Sequence, residues 1–136
     1  MGNADDIKKE LLKGSHTIAV VGLTPDRAKA SNIVANYLIA NGFRVIPVNP
    51  RHTEILGRKC YPSVSHIPEK VDIVDIFLRS EKVLPVVERA IKLKPKAIWL
   101  QLGIINNEAQ ELVENNNILF FMNQCIKQEH DRLLNT

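Results

Sequence analysis

Thr17-Ile18-Ala19-Val20-Val21-Gly22-Leu23-Thr24-Pro25-Asp26-Arg27 is the stretch that decides the fold of this 136-residue chain. An apolar run ends in a single glycine, passes into a polar loop and leads to a helix-like segment. That is how an α/β protein opens a nucleotide site. A buried strand carries the chain to the sheet edge, and a helix N-terminus then turns backbone N–H groups toward a phosphate. The dinucleotide pattern G-x-G-x-x-G is absent, because positions 24 and 27 are Thr and Arg. The loop therefore suits a nucleotide-like anion, but not in the usual NAD manner.

Outward from this stretch the chain alternates strands and helices. Asp5–Lys13 has helical spacing, with Ile7, Leu11 and Leu12 on one side and Gly14 as a stop. Ser31 is placed to cap a helix over Asn32–Asn41. Phe43–Val48, Val71–Phe77, Lys96–Leu100 and Ile118–Met122 read as strands after Thr17–Val21. Ser80 is placed to cap Glu81–Leu93, with Pro85 expected to distort that helix early on. Asn106 or Asn107 starts a helix through Glu114, and Cys125–Leu134 closes the chain as another. Arg51–Ile67 is loop-rich, with room for a short helical turn near Ser63–His66. Five short apolar strands separated by helices imply one α/β domain, a parallel five-stranded sheet with helices on both faces. Residues 1–15 are read as an N-terminal helix preceding that domain.

Bulk properties narrow the function classes. Hydrophobic residues at 45% and charged residues at 24% fit a soluble globular protein with a core that needs no metal or disulfide. Aromatics at 5% argue against a stacking platform for single-stranded nucleic acid. The net charge of +3 is spread from Lys8 to Arg132 without a dense cluster, unlike a nucleic-acid face. Charged residues from Asp5 to Glu10 break any signal-like apolar region, and no run approaches membrane-spanning length. A cytoplasmic location with reduced Cys60 and Cys125 is expected.

In such sheets ligands sit beyond the carboxyl ends of the strands, where strand order reverses. Five loops therefore carry the candidates. The first holds Gly22, which permits a close backbone approach, Thr24 as a hydroxyl donor, and Arg27 and Lys29 as phosphate partners. The second holds Asn49, Pro50 and Arg51. No carboxylate lies from Phe43 to Thr53, where an NAD site holds its ribose, and Arg51 suits a ribose bearing a phosphate, as in NADP or coenzyme A. The third holds Phe77, Leu78 and Arg79, the fourth Gln101, Gly103 and Ile104, and the fifth Asn123–Lys127. Trp99 is read as core. Cys125 and His130 are five residues apart, a poor spacing for a dyad within one helix, and the four histidines form no metal motif.

The run Ile18-Ala-Val-Val-Gly22-Leu-Thr24 with Arg27 and Ser31, then Tyr37-Leu38 and Gly42–Pro50, resembles the small CoA-binding-domain proteins. So do Val71–Arg79, Trp99–Ile104 and Cys125–His130, in register from about residue 16 onward. The resemblance implies a Rossmann-like domain over 16–136, similar to the CoA-binding domain of the succinyl-CoA synthetase α subunit, with coenzyme A as ligand. By that similarity Gly22, Thr24 and Arg27 meet the CoA phosphates, and Asn49, Pro50 and Arg51 lie by the ribose 3′-phosphate. Phe77, Leu78 and Arg79 border adenine, and Gln101–Ile104 approach pantetheine. Ala28-Lys29-Ala30 departs from members that have Pro before Ser31, which makes Lys29 an added contact. The expected role is a non-catalytic module for CoA or acyl-CoA. The alternatives are an NADP-dependent oxidoreductase and a CoA enzyme completed by a partner subunit. No metal, nucleic acid or membrane is expected, and a protein partner is left open.

Overall fold

The computed structural model describes residues 3–135. Its main sheet comprises β1 (Thr17–Val21), β2 (Arg44–Val48), β5 (Ile73–Ile76), β6 (Ala97–Leu100) and β7 (Leu119–Phe121), in the order β2-β1-β5-β6-β7. Every pairing is parallel. Between β2 and β5 runs a two-stranded hairpin, β3 (Glu54–Ile55) and β4 (Arg58–Lys59), which the sequence reading leaves as loop. Its turn places both Leu56 and Gly57 at positive φ. A leucine there carries none of the Asn-Gly signal by which such turns are read.

The apolar alternation of the strands divides the core into two layers. Ala19, Val21, Ile46, Val74, Ile98 and Leu100 face α3 (Val83–Ile91) and α4 (Asn107–Asn115). Ile18, Val20, Val45, Ile73 and Trp99 face α1 (Ala4–Gly14), α2 (Ala30–Ala40) and α5 (Ile126–Leu134). The expected α/β class, five parallel strands and two covered faces are therefore what the chain forms. Proline in a strand is tolerated at a sheet edge, and Pro47 lies in the edge strand β2.

Two helix starts differ from expectation. The cap of α2 is Lys29, without a side-chain bond, and Ser31 lies inside the helix, where its Oγ accepts the Thr24 N–H at 3.3 Å. A 3-10 turn over Ser80–Lys82 precedes α3, so Pro85 falls in the first turn of α3, where it removes no intrahelical bond. Ser80 Oγ instead accepts the N–H of Ile105 at 3.1 Å.

Helix α1 adds Leu11 and Leu12 to the core. Its buried Lys8 donates to Glu129 of α5 at 2.6 Å and lies 5.9 and 5.5 Å from the Trp99 and Phe121 ring centroids. On the other side of α5, His130 Nδ1 meets the Tyr37 hydroxyl at 2.8 Å, and its ring stacks edge-on against Phe43. Burial lowers the basicity of His130 more than neighbouring Asp131 raises it. The folded protein thus holds His130 neutral, while the unfolded chain takes up a proton as pH falls through about 6.5. The contribution of His130 to stability should therefore fall below that pH. Urea titrations at pH 7.5 and 5.5 test this: the stability of His130→Asn relative to the parent should be higher at pH 5.5 than at pH 7.5.

Candidate functional site

Strand β1 lies between β2 and β5, so the chain leaves β1 toward one edge and returns past it to build the other half of the sheet. This is the reversal at which α/β sheets open a crevice. A cavity of about 610 Å³ occupies the place, within the range of small-molecule sites. Its floor is apolar, with Val21, Val48, Val64, Leu78 and Val86. Its rim carries Arg51, Lys82 and Arg89, and no carboxylate of the described residues lines it. None of these three cations joins an ion pair among the described residues.

Gly22 shapes the cleft at the end of β1. Its φ is +86°, and a Cβ there would lie 2.2 Å from the Phe77 carbonyl oxygen. Only a residue without a side chain lets the first and third loops approach so closely. Asn49 ties the first loop to the second. Its Nδ2 donates to the Leu23 carbonyl at 3.0 Å, and its Oδ1 accepts the Arg51 N–H at 2.9 Å. Asn49 therefore positions Arg51, and Pro50 and Arg51 are exposed on the rim.

Of the residues singled out from sequence, Gly22, Asn49, Pro50, Arg51 and Leu78 line the cleft. Thr24 and Ser31 brace the first loop instead. The Thr24 N–H donates to Ser31 Oγ, its carbonyl accepts Asn32 Nδ2 at 2.9 Å, and its Oγ1 accepts the Asp26 N–H at 3.2 Å. Arg27 and Lys29 are exposed where α2 begins. Asn3, Asn106 and Gln101 bond first-turn N–H groups of α1, α4 and α5, whereas no side chain among the described residues does so for α2 or α3. An uncapped start such as that of α2 suits an anion.

The other three loops are partly committed elsewhere. Phe77 packs into the layer beneath α1, α2 and α5, away from the cleft, while the next residue, Leu78, packs on the cleft side. Arg79 is exposed and does not line the cleft. Gln101 is buried, and its Oε1 accepts the Ile126 N–H at 3.2 Å. Gly103 donates its N–H to Asn123 Oδ1 at 2.8 Å, and Ile104 packs on the α3–α4 layer. Cleft residues that the sequence reading passed over are Pro62, Ser63 and Val64, which follow the hairpin, and Lys82, Val86 and Arg89. The last three recur at i, i+4 and i+7, a helical-face signal that the sequence does display.

Cysteine chemistry finds little support. Cys60 is buried with its thiol toward the Asn49 carbonyl, and burial pushes that thiol upward, away from the reactive thiolate. Cys125 sits half-buried at the start of α5, and His130 is engaged with Tyr37. No cluster of three metal-ligating side chains occurs among the described residues. No helix among them is long and apolar enough to cross a membrane.

The fold and cleft define a doubly wound α/β domain with a crevice at its reversal point, rimmed by Arg51, Lys82 and Arg89. The chain belongs to the CoA binding domain family, whose model matches residues 16–131. It is 36% identical over 122 residues to the uncharacterized protein YneT of Bacillus subtilis, covering 90% of each chain. It superposes on a hypothetical protein from Pyrococcus horikoshii OT3 with a TM-score of 0.94 at 41% identity, covering 98% of this chain and 94% of the other. It is also 41% identical over 71 residues to an ADP-forming acetate–CoA ligase of Archaeoglobus fulgidus. That match takes in 52% of this chain but only 10% of the ligase.

Proposed function

We propose that this protein binds coenzyme A or an acyl-CoA and acts as a binding or regulatory module rather than as a complete enzyme. The observation that carries the reading is the cleft itself: an apolar bed rimmed by Arg51, Lys82 and Arg89, with no carboxylate among the lining residues. Apolar contacts hold the base, and the cations meet phosphate oxygens. The uncapped start of α2, with Arg27 and Lys29 in the loop that leads to it from Gly22, is the second anion-receptive element. Membership of the CoA binding domain family favours coenzyme A over NADP as the phosphorylated nucleotide. The ligase relative matches 52% of this chain within 10% of its own length, which supports a modular role.

Titration calorimetry with CoA, acetyl-CoA, NADP and NAD tests the reading. CoA should bind and NAD should not; tight NADP binding without CoA binding would overturn it. Arg51 should answer to the ribose 3′-phosphate. Arg51→Ala should weaken CoA by about tenfold, the worth of one charge-assisted contact, and dephospho-CoA by much less. Equal losses for both ligands would remove the 3′-phosphate assignment.

A further inference from the structure

The two edges of the main sheet, β2 and β7, are finished differently. The β2 edge is blunted. Pro47 removes a donor, and Arg44 puts an exposed charge at the start of the strand. Tyr61, which follows β4, covers the other end: its N–H donates to the Pro47 carbonyl at 3.1 Å, and its carbonyl accepts the Asn49 N–H at 2.9 Å. The β7 edge carries no such device among the described residues. Ile118-Leu119-Phe120-Phe121-Met122 is apolar throughout, without proline or charge. An open groove of about 470 Å³ is formed there by the strand, Ala4 and Ile7 of α1 and Glu114 of α4. Ile7 and Leu119 are 44% and 40% exposed in it.

The backbone of this edge is also open. The Leu119 N–H turns inward to the Lys96 carbonyl at 3.1 Å. Alternation along the strand therefore turns the N–H and C=O of Phe120 outward. Among the described residues no backbone group bonds the Met122 N–H or the Ile118 carbonyl. The sequence is self-complementary about Phe120. A second copy laid antiparallel across a twofold axis pairs Phe120 with Phe120, Leu119 with Phe121 and Ile118 with Met122. The two Phe120 residues exchange both backbone bonds, and each Met122 N–H meets the Ile118 carbonyl of the other copy. Every cross-strand pair is apolar, which is the favourable case. With the axis normal to the sheet the layers also match. Ile118, Phe120 and Met122 of both copies lie in the α3–α4 layer, and Phe121 in the layer of α1, α2 and α5.

We infer that β7 is a dimerisation strand, through which two copies of this chain join their five-stranded sheets into one sheet of ten. The exposed Ile7 and Leu119 are the side chains that the second copy covers. The cleft lies beside β1, away from this edge, so the inference stands apart from the CoA reading.

Sedimentation equilibrium on the full chain from about 1 to about 500 µM tests it, with amide hydrogen exchange at both ends of that range. The average mass should rise toward twice that of one chain, and the Phe120 and Met122 amides should exchange at least about tenfold more slowly in the concentrated sample. Leu119→Lys places a charge on an exposed position of the edge and should raise the dimer dissociation constant at least about tenfold. Its circular dichroism melt should stay like that of the parent. A chain that remains monomeric throughout would overturn the inference, even if an added extended peptide slowed exchange at Phe120. So would a dimer whose Phe120 amide exchanges as fast as in the monomer, or one that a folded Leu119→Lys variant forms equally well.

Discussion

Gly22→Ala should lower the unfolding free energy by about 4 kcal/mol and abolish ligand binding with it. Two costs add at this position. A φ of +86° costs an L-residue about 1–2 kcal/mol. The new methyl would also stand 2.2 Å from the Phe77 carbonyl oxygen, a backbone atom that cannot swing aside. Phe77 is held by its N–H to the Val21 carbonyl at 2.9 Å, and Gly22 by its N–H to the Val48 carbonyl at 2.9 Å. Relief of the clash must therefore break the junction of β1, β2 and β5 on which the cleft is built. Gly42→Ala is the matched control. Its φ is +92°, but nothing lies within 4 Å of the added Cβ, so only the conformational cost of about 1–2 kcal/mol applies. Urea unfolding of both variants separates the two terms. If Gly22→Ala loses no more than Gly42→Ala, the close approach of the first and third loops does not limit stability.

Asp75→Val should stabilise the protein by about 2 kcal/mol at neutral pH, the opposite of most core substitutions. Asp75 lies in the central strand β5, paired in register with Val20 and Trp99, and is fully buried. Neither of its carboxyl oxygens has a hydrogen-bond partner among the described residues. Burial pushes the carboxyl well above the ordinary carboxylate range. The unfolded chain gives up this proton near pH 4, whereas the folded chain keeps it. Folding therefore binds a proton, and stability declines as pH rises from about 4 toward the folded-state value. Asp75→Asn should flatten that decline while leaving an unpaired polar group in the core. Asp75→Val should flatten it and also raise stability across the range, because valine suits a buried strand. Urea midpoints from pH 4 to 8 read both effects. A destabilised Asp75→Val that keeps the parental pH dependence would mean that the carboxyl makes a compensating contact.

Much of the fold was legible because each strand is a short, nearly continuous apolar run. Such runs belong to parallel strands buried on both faces, and the loops after them are where an α/β sheet binds. That logic found Gly22, Asn49, Pro50, Arg51 and Leu78. It did not separate Phe77 from Leu78, which follow β5 and pack into opposite layers, because only the packed helices say which layer borders the cleft. It also could not see that Gln101 would be spent on the first turn of α5, a contact between residues 25 positions apart. The hairpin of β3 and β4 was hidden by a turn with leucine at positive φ.

The chain by itself determined the α/β class, the two-layer core and the absence of an acidic residue at the second loop, since these follow from local periodicity and residue type. Thr17–Arg27 raised the expectation of an anion site in the same way. Only the tertiary structure decided which loops share a cleft, because that depends on β1 being held between β2 and β5 by crossovers on both sides. It also brought Lys82 and Arg89 to the rim, for the direction of α3 is set by the 3-10 turn and by its packing on the sheet. Strand order and helix docking are long-range choices of the folded core, and no local pattern of residues encodes them.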